Sequence, residues 1–435
     1  MSQAARSANE HDPYAVLRNR DYLFYALGRF IASLGQQMLT VAVGWELYER
    51  TGSALGLGLT GLTQFLPMLA MTLPAGHCAE TRNRKGIVVV TQGVMALASL
   101  GLAAVSWRYA GIPWKHGEAN WVYLCLLVSG VARTFFWSAS AAFVPQLVSR
   151  EELPLALNWS SSTYQFAAVA GPAAGGWLIA LTGRALDVYL FNAVAAVICL
   201  GLISCVRAHH KPPAKEPVSL KTLLAGFRFV FNHRIILGMI TLDLFAVLFG
   251  GADMLLPIYA KDILQAGPQG LGLLRGALPV GSLVCALILA HRPPFTKAGR
   301  VLVWAVLVFG LATIGFGISR SFWLSMTLLF LCGMADAFSV VIRHTSVQLL
   351  TPDEMRGRVS SVNNLFIGTS NELGGFESGA LSSLTNPVFS VVFGGVATIA
   401  VVAAVCGLFP EIPRYGKLVQ PPPAVPEPDR NGSSA

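Results

Sequence analysis

The chain has 435 residues, 54% hydrophobic and only 12% charged, with a net charge of +9 and a mean hydropathy of +0.58. Soluble domains carry roughly 25% charged residues, so this chain cannot clothe a water-facing surface, and a soluble enzyme or binding module is excluded. Apolar runs of roughly 20 residues, the length that crosses a bilayer, recur along the sequence. They predict an all-α membrane protein of about twelve spans covered by lipid.

Residues 1–21 are polar and include Arg6, Glu10, Asp12, Arg18 and Arg20. They hold no apolar core and no small-residue cleavage site, so the first span is expected to be its own insertion signal. Apolar runs follow near 22–45, 54–76, 87–107, 119–143, 159–182 and 186–206, filling a first region, 22–206. A polar stretch, 207–234, then interrupts the pattern. Within it Leu220, Leu223, Leu224, Phe227, Val230 and Phe231 recur at helical spacing, with Lys221 and Arg228 off that face. This predicts an amphipathic helix at the membrane interface. Further runs near 235–259, 270–290, 301–318, 322–342, 359–385 and 388–409 fill a second region, 235–409. Residues 410–435 are rich in Pro, Gly, Ser and charge and predict a disordered tail.

The placement of the cations explains the basic balance. With the N-terminus in the cytoplasm, the outside loops hold only Arg50, Arg108, Lys115, Arg184, Lys261 and Arg320 of the 31 Lys and Arg. Arg29, Arg133 and Arg275 fall within spans, and the rest, Arg343 among them, are assigned to inside segments. The positive-inside rule then puts both termini in the cytoplasm. The charge is topological, so no nucleic-acid partner is expected. Seven cysteines without CxxC spacing give neither a disulfide framework nor a metal site, and no cofactor is expected.

The two regions echo one another. Ser149-Arg-Glu-Glu-Leu leads into a helix with a glycine cluster at 171–176, and Thr351-Pro-Asp-Glu-Met leads into one with Gly374, Gly375 and Gly379. Likewise Leu57-Gly58-Leu59 matches Leu271-Gly272-Leu273. Parallel duplication of this kind is a transporter device, with the substrate site at the midplane between the repeats.

The turn after the second span reads Gly76-His-Cys-Ala-Glu80-Thr-Arg82-Asn-Arg84-Lys85. It resembles the Gly-x-x-x-Asp-Arg-x-Gly-Arg-Arg signature of the major facilitator superfamily, with Glu80 for Asp, Thr81 for the first basic residue and Asn83 for Gly. Arg133, within Gly130-Val-Ala-Arg133, stands where exporters of that superfamily often carry an Arg. Gly171-Pro172-Ala-Ala-Gly175-Gly176 resembles the Gly-Pro-x-x-Gly-Gly element of its proton-driven antiporters. Leu242-Asp243 through Pro257, Gly270 through Arg275, Thr351 through Arg358 and Gly368 through Gly379 are similar to the branch containing the bacterial enterobactin exporter. The resemblance covers roughly 15–412. It implies the major facilitator fold, two six-helix halves, and export of a small molecule by alternating access, without fixing the substrate. Glu80 is then expected to meet Arg356 and Arg358 across the interface.

Charges inside spans need a purpose apart from any family. Asp243, Asp253, Asp336, Glu372, Glu377, Arg29, Arg133 and Arg275 lie in apolar runs, with Glu46 near the outer end of the first. Each such charge costs on the order of 3 kcal/mol to insert, so they are expected to line a cavity or pair with one another. A desolvated carboxylate exchanging a proton is the chemistry an antiporter needs. Asp243, flanked by leucines, and Glu372, in a Ser- and Asn-rich helix, lead as carriers. Trp45, Tyr48, Phe65, Phe135, Phe136 and Trp137 serve either as substrate contacts or as belt and core.

The expected partners are a small amphipathic molecule such as a siderophore or drug, protons, and the lipid bilayer of the inner membrane, with the chain acting as a monomer. An importer in the same fold stays open as an alternative. A membrane-embedded enzyme is disfavoured, since the histidines are scattered through tails, loops and membrane edges.

Overall fold

The computed structural model describes residues 12, 14–112, 114, 117–207, 220–293, 295–352 and 354–416. The first eleven residues, the linker stretch 208–219 and the tail beyond 416 lie outside the described residues, together with the expectations that fall on them.

Among the described residues the fold is helical, with no strand. The first region comprises α1 (Arg20–Thr51), α2 (Ala54–Thr81), α3 (Arg84–Arg108), α4 (Glu118–Leu147), α5 (Leu153–Thr182) and α6 (Leu186–Ser204). After a short helix α7 (Leu220–Asn232) come α8 (Arg234–Gly250), α9 (Leu256–Ile258), α10 (Gly267–Ala290), α11 (Ala298–Ile318), α12 (Phe322–Leu350), α13 (Arg356–Leu384), α14 (Pro387–Leu408) and α15 (Glu411–Arg414). Among the described residues ten helices, with Arg234–Ile263 taken as one, are long and apolar enough to cross a membrane. The measure leaves out α1 and α13, which are 32 and 29 residues long but more polar.

The helix ends follow local chemistry. Asn19 caps α1, accepting from the backbone N–H of Asp21 and Tyr22, while its own amide donates to the Leu147 carbonyl at 2.8 Å. Ser53 and Asn83 cap α2 and α3 in the same way. α1 and α5 both stop at a left-handed glycine, Gly52 (φ 60°) and Gly183 (φ 70°), a conformation that costs other residues a clash.

One run expected to be continuous is broken. α8 ends at Gly250, and the chain proceeds through a 3-10 turn (Ala252–Leu255), α9 and a π turn (Tyr259–Ile263). Adjacent Gly250 and Gly251 remove the side chains that favour helix, and Pro257 lacks the N–H a continuing helix needs. At membrane depth such backbone persists only where it is buried or lines a cavity.

The repeat read from the sequence reappears as two exchanged seams. α2 crosses α13 where a Cβ on Gly379 would lie 2.6 Å from the Gly58 Cα; α5 crosses α10 where one on Gly272 would lie 2.4 Å from the Pro172 carbonyl oxygen. The matched sequence pairs Leu57-Gly58 with Leu271-Gly272, and Gly171–Gly176 with Gly374–Gly379, so each seam is the other with its partners swapped.

The apolar core is shared at one end and divided at the other. Away from the termini one cluster unites Met38, Leu57, Leu126 and Ile179 with Leu255, Leu271, Phe316 and Leu329. Towards the termini separate clusters form, one around Tyr25, Phe143 and Ile203, another around Met239, Leu302 and Val402. There α7 packs on the second group: Val230 is buried with Val359 and Val362, and Phe227 meets Phe366 at 5.9 Å. The expected tail boundary moves as well. Pro410 to Gly416 is packed, with Ile412 buried and the Ala298 and Gly299 amides donating to the Gly416 and Tyr415 carbonyls.

Candidate functional site

The intramembrane charges separate into a connected network and outlying pairs. Arg133 of α4 and Glu372 of α13 form a 3.0 Å ion pair that ties the two groups of helices together. Glu372 also lies in electrostatic reach of Arg275 on α10, and Arg275 in reach of Asp253 in the broken segment. Asp253 in turn faces Asp336 on α12, which faces Asp243 and Arg343. The chain of groups ends in a deeply buried pair, Asp243 to Arg343 at 2.9 Å, with side chains 6% and 1% exposed. Arg343 spends a second nitrogen on the Asn363 side-chain oxygen at 3.0 Å.

Arg343 corrects the sequence reading. The charge pattern assigns it to an inside segment, yet it lies within α12 and is the largest fully buried side chain among the described residues. Charge alone misplaces it: Arg343 and His344 follow an apolar run and look like its polar edge, but the helix continues to Leu350. Asp243 on α8 is the available signal, since a buried carboxylate demands a cation.

The broken segment lines a cavity of about 100 Å³ in which Asp253, Thr313, Asp336 and Asn371 share the wall with Leu278, Phe309, Phe316 and Leu329. A second hollow lies between the groups of helices. Gln36 and Thr40 of α1, Thr60 and Gln64 of α2, and Ser129 of α4 face Met254, Pro257 and Arg275 across it. The Gln36 side-chain oxygen there is buried without a partner. These uncharged polar residues escape a search for charge. Their four-residue spacing in apolar helices, Gln36 to Thr40 and Thr60 to Gln64, places each pair on one face and is legible in the sequence.

Other expected site residues lie elsewhere. Glu46 is buried in the first group, paired with Arg50 at 2.7 Å and accepting from the Ser106 hydroxyl at 2.7 Å. Arg29 donates to the Tyr25 hydroxyl. Glu377 takes the Ser378 hydroxyl at 3.4 Å. The aromatic residues do not form one wall. Phe65 and Phe136 are buried, Trp137 faces outward, Phe135 lines a groove beside α2 and α3, and Tyr48 donates to Asp262 across the groups.

The signature turn is tied down through helix carbonyls. Arg84 donates to the Ala79 and Ala142 carbonyls at 2.9 and 2.8 Å, and Lys85 to those of Ser204 and Val206. Gly76 and Glu80 lie in the last turns of α2, and Arg356 and Arg358 open α13, where Arg356 donates to the Gln348 carbonyl. The glycine element in α5 is a contact surface throughout. A Cβ on Gly171 would lie 2.5 Å from that of Gln37, one on Gly175 2.9 Å from the Met38 Cα, and one on Gly176 2.3 Å from the Pro268 carbonyl oxygen. α5 runs unbroken through Pro172.

Residues 11–429 match the transmembrane secretion effector family. The chain belongs to that family, within the major facilitator superfamily. It is 28% identical to the enterobactin exporter EntS of Citrobacter koseri over 397 residues, covering 91% of this chain and 93% of the relative. To the enterobactin exporter EntS of Escherichia coli O1:K1 it is 27% identical over 92% of this chain and 93% of the relative. Among solved structures it is similar to a bacterial homologue of the iron transporter ferroportin in an inward-facing state (TM-score 0.72, 18% identity, 91% and 99% of the two chains). It is similar too to the nucleoside transporter NupG (TM-score 0.66, 15% identity, 89% and 99%). These likenesses carry the fold. The protein is a multi-pass membrane transporter.

Proposed function

We propose that this transporter is a proton-coupled exporter of a small amphipathic molecule, of the siderophore or drug type, working by alternating access as a monomer in the inner membrane. The two six-helix halves, 22–206 and 235–409, are the moving bodies. Both termini lie in the cytoplasm, as the distribution of Lys and Arg supports. In that orientation the shared core closes the outer side and the divided core faces the cytoplasm.

The observation that carries the reading is the Arg133–Glu372 pair between the halves, joined to a line of carboxylates. A pair between bodies that rock apart must loosen in each cycle, and a proton on a linked carboxylate changes the cost of loosening it. A proton driven by the membrane potential supplies about 2.3 kcal/mol per 100 mV, enough to hold a gradient of more than tenfold. Export rather than import is supported by the names of full-length relatives. The hollow lined by Gln36, Thr60, Gln64 and Arg275 is about 30 Å³ in this conformation and must widen during the cycle to contact a substrate of siderophore or drug size. Glu80, level with Arg356 and Arg358 if the α2–α13 register continues, serves as a latch on the cytoplasmic side.

Energised inverted vesicles test this directly. An exporter accumulates its substrate inside them, with proton movement in the opposite sense. A panel of catecholate siderophores and cationic amphiphiles is expected to yield at least one accumulated compound. Accumulation only in right-side-out vesicles makes the protein an importer and overturns the reading.

A further inference from the structure

The connected charges within the helices do not balance. Arg133, Arg275 and Arg343 stand against Glu372, Asp253, Asp243 and Asp336, leaving one carboxylate in excess. Glu372 holds Arg133 at 3.0 Å, Asp243 holds Arg343 at 2.9 Å, and Asp253 has Arg275 in reach. Neither Asp253 nor Asp336 makes an ion pair among the described residues, but the cation in reach of Asp336 is Arg343, already held by Asp243, so Asp336 is the remainder. Asp336 is half-buried on the cavity wall, and a carboxylate at membrane depth without a counter-charge of its own favours taking up a proton.

A second observation lies beside it. The Arg343 Nε is buried and has no hydrogen-bond partner, although the other two guanidinium nitrogens are engaged by Asp243 and Asn363. Asp336, Ser339 and Arg343 follow a spacing of three and four residues, one face of α12, and helical side chains lean towards the N-terminus. The Arg343 guanidinium, held on Asp243 and Asn363, is within electrostatic reach of Asp336. The groove between α8 and α12 is lined by Asp243, Asp336 and Ser339 together.

We propose that Asp336 is the proton-binding residue of this transporter, and that its proton and Arg343 are alternative partners for its carboxylate. The inference deepens the proton-coupled reading and rests on it. With the proton on Asp336, Arg343 serves Asp243 and Asn363, as seen. When the proton leaves to water in the 100 Å³ cavity, the Asp336 carboxylate supplies the acceptor that Nε lacks. That volume has room for several waters, at roughly 10–15 Å³ of such space each. Arg343 is then drawn off Asn363 of α13, the helix that also carries Glu372, so the titration reaches the pair between the halves. The groups facing Asp336 are Asp253 from the broken segment, Asp243 from α8, Cys285 from α10, and Cys332 and Arg343 on its own helix. His344 lies next to Arg343. Asp243 and Glu372, the carriers favoured by sequence alone, already have arginine partners.

Infrared difference spectra of the full-length protein in lipid nanodiscs, titrated from acidic to alkaline pH, test this without a substrate. The expected result is a protonated-carboxyl band that disappears on alkalinisation, is absent in Asp336→Asn, is kept in Asp253→Asn, and disappears at lower pH in Asp243→Asn, where Arg343 is released to Asp336. Asp336→Glu guards against misfolding. In protein made with carboxyl-labelled aspartate, the wild-type band shifts with the label and the Asp336→Glu band does not. A band that survives in Asp336→Asn moves the proton elsewhere and overturns this proposal alone. No titrating band in the wild type overturns both this proposal and proton coupling.

Discussion

Each half of the molecule buries an ion pair, and the two are built to different ends. Glu46 and Arg50 sit one turn apart on α1, 2.7 Å from each other, and Arg50 also donates to carbonyls of Ser106, Tyr109 and Ile112 while stacking over Trp114. Every charge is satisfied locally, and no partner has to move when helices shift. Asp243 and Arg343 instead join α8 to α12, with Asn363 of α13 as third member and one nitrogen left over. Elsewhere in the first half, neutral bonds such as Asn192 to Ser99 at 2.7 Å and Tyr22 to the Ala156 carbonyl at 2.7 Å join charged donors that end on uncharged acceptors, as Arg84 and Lys85 do on helix carbonyls. The first half thus resembles a fixed frame, and the second concentrates charge where several helices meet.

The contrast predicts unequal losses. Arg343→Ala leaves Asp243 in an apolar interior and is expected to cost about 3–5 kcal/mol, the usual penalty for breaking a buried pair. Arg50→Ala strips a more exposed cation from a carboxylate that keeps the Ser106 hydroxyl, and a loss of about 1–2 kcal/mol is expected. Thermal unfolding of the purified variants in one detergent compares them. Equal shifts in Tm remove the distinction between frame and charged half.

The seams give the next largest effect. Gly176→Leu and Gly58→Leu each drive a side chain into the backbone of the opposite half, at about 1–3 kcal/mol or more for overpacking. Gly201→Leu, which meets nothing within 4 Å, is the control and should remain monodisperse on size exclusion. Because the seams are one contact exchanged between repeats, the two harmful variants should fail alike. If Gly58→Leu behaves like Gly201→Leu, the exchange symmetry has no energetic content.

Much of this is legible in the sequence, and what is not has physical reasons. The spans, a helix at 220–232 and the duplication follow from periodicity, because lipid forces each spanning segment to satisfy its own backbone. The glycine elements announce their seams, since only glycine allows backbones this close. The partners of charges are not legible, because pairing depends on which helices are neighbours in space. Asp243 finds its arginine 100 residues away, on a helix whose end the sequence puts too early. The break after Gly250 is hidden inside a continuous apolar run. The packing of Ile412 is hidden by the polar tail around it.

A smaller effect on stability, with a larger one on function, is expected at Glu372. Its side chain is 15% exposed and that of Arg133 29%, so water shares the cost of losing the pair. Glu372→Gln should lower stability by roughly 1–2 kcal/mol, less than Arg343→Ala, yet slow proton-linked export in proteoliposomes at least tenfold. Normal export by this variant detaches the contact between halves from the transport cycle.

The smallest structural effect belongs to Glu80, and it bears on the frame itself. α2 and α13 run antiparallel, with Gly58 opposite Gly379 and Met68 opposite Gly368. Continuing that register to the end of α2 brings Glu80 level with Arg356, Gly357 and Arg358, while Arg84 and Lys85 hold the following turn to its own half. A carboxylate there stabilises whichever conformation brings the arginines near. Glu80→Gln keeps the shape and removes the charge, so folding should change by about 1 kcal/mol or less, with expression intact. Export is expected to fall several-fold, and the variant should favour the cytoplasm-open state in cysteine-accessibility measurements on the α2 and α13 ends. A Glu80→Asp variant should recover much of the rate, because it restores the charge at slightly shorter reach. Should Glu80→Gln export normally, the turn acts through Arg84 and Lys85 alone, as a support for α4 and α6 inside one half rather than a latch between two.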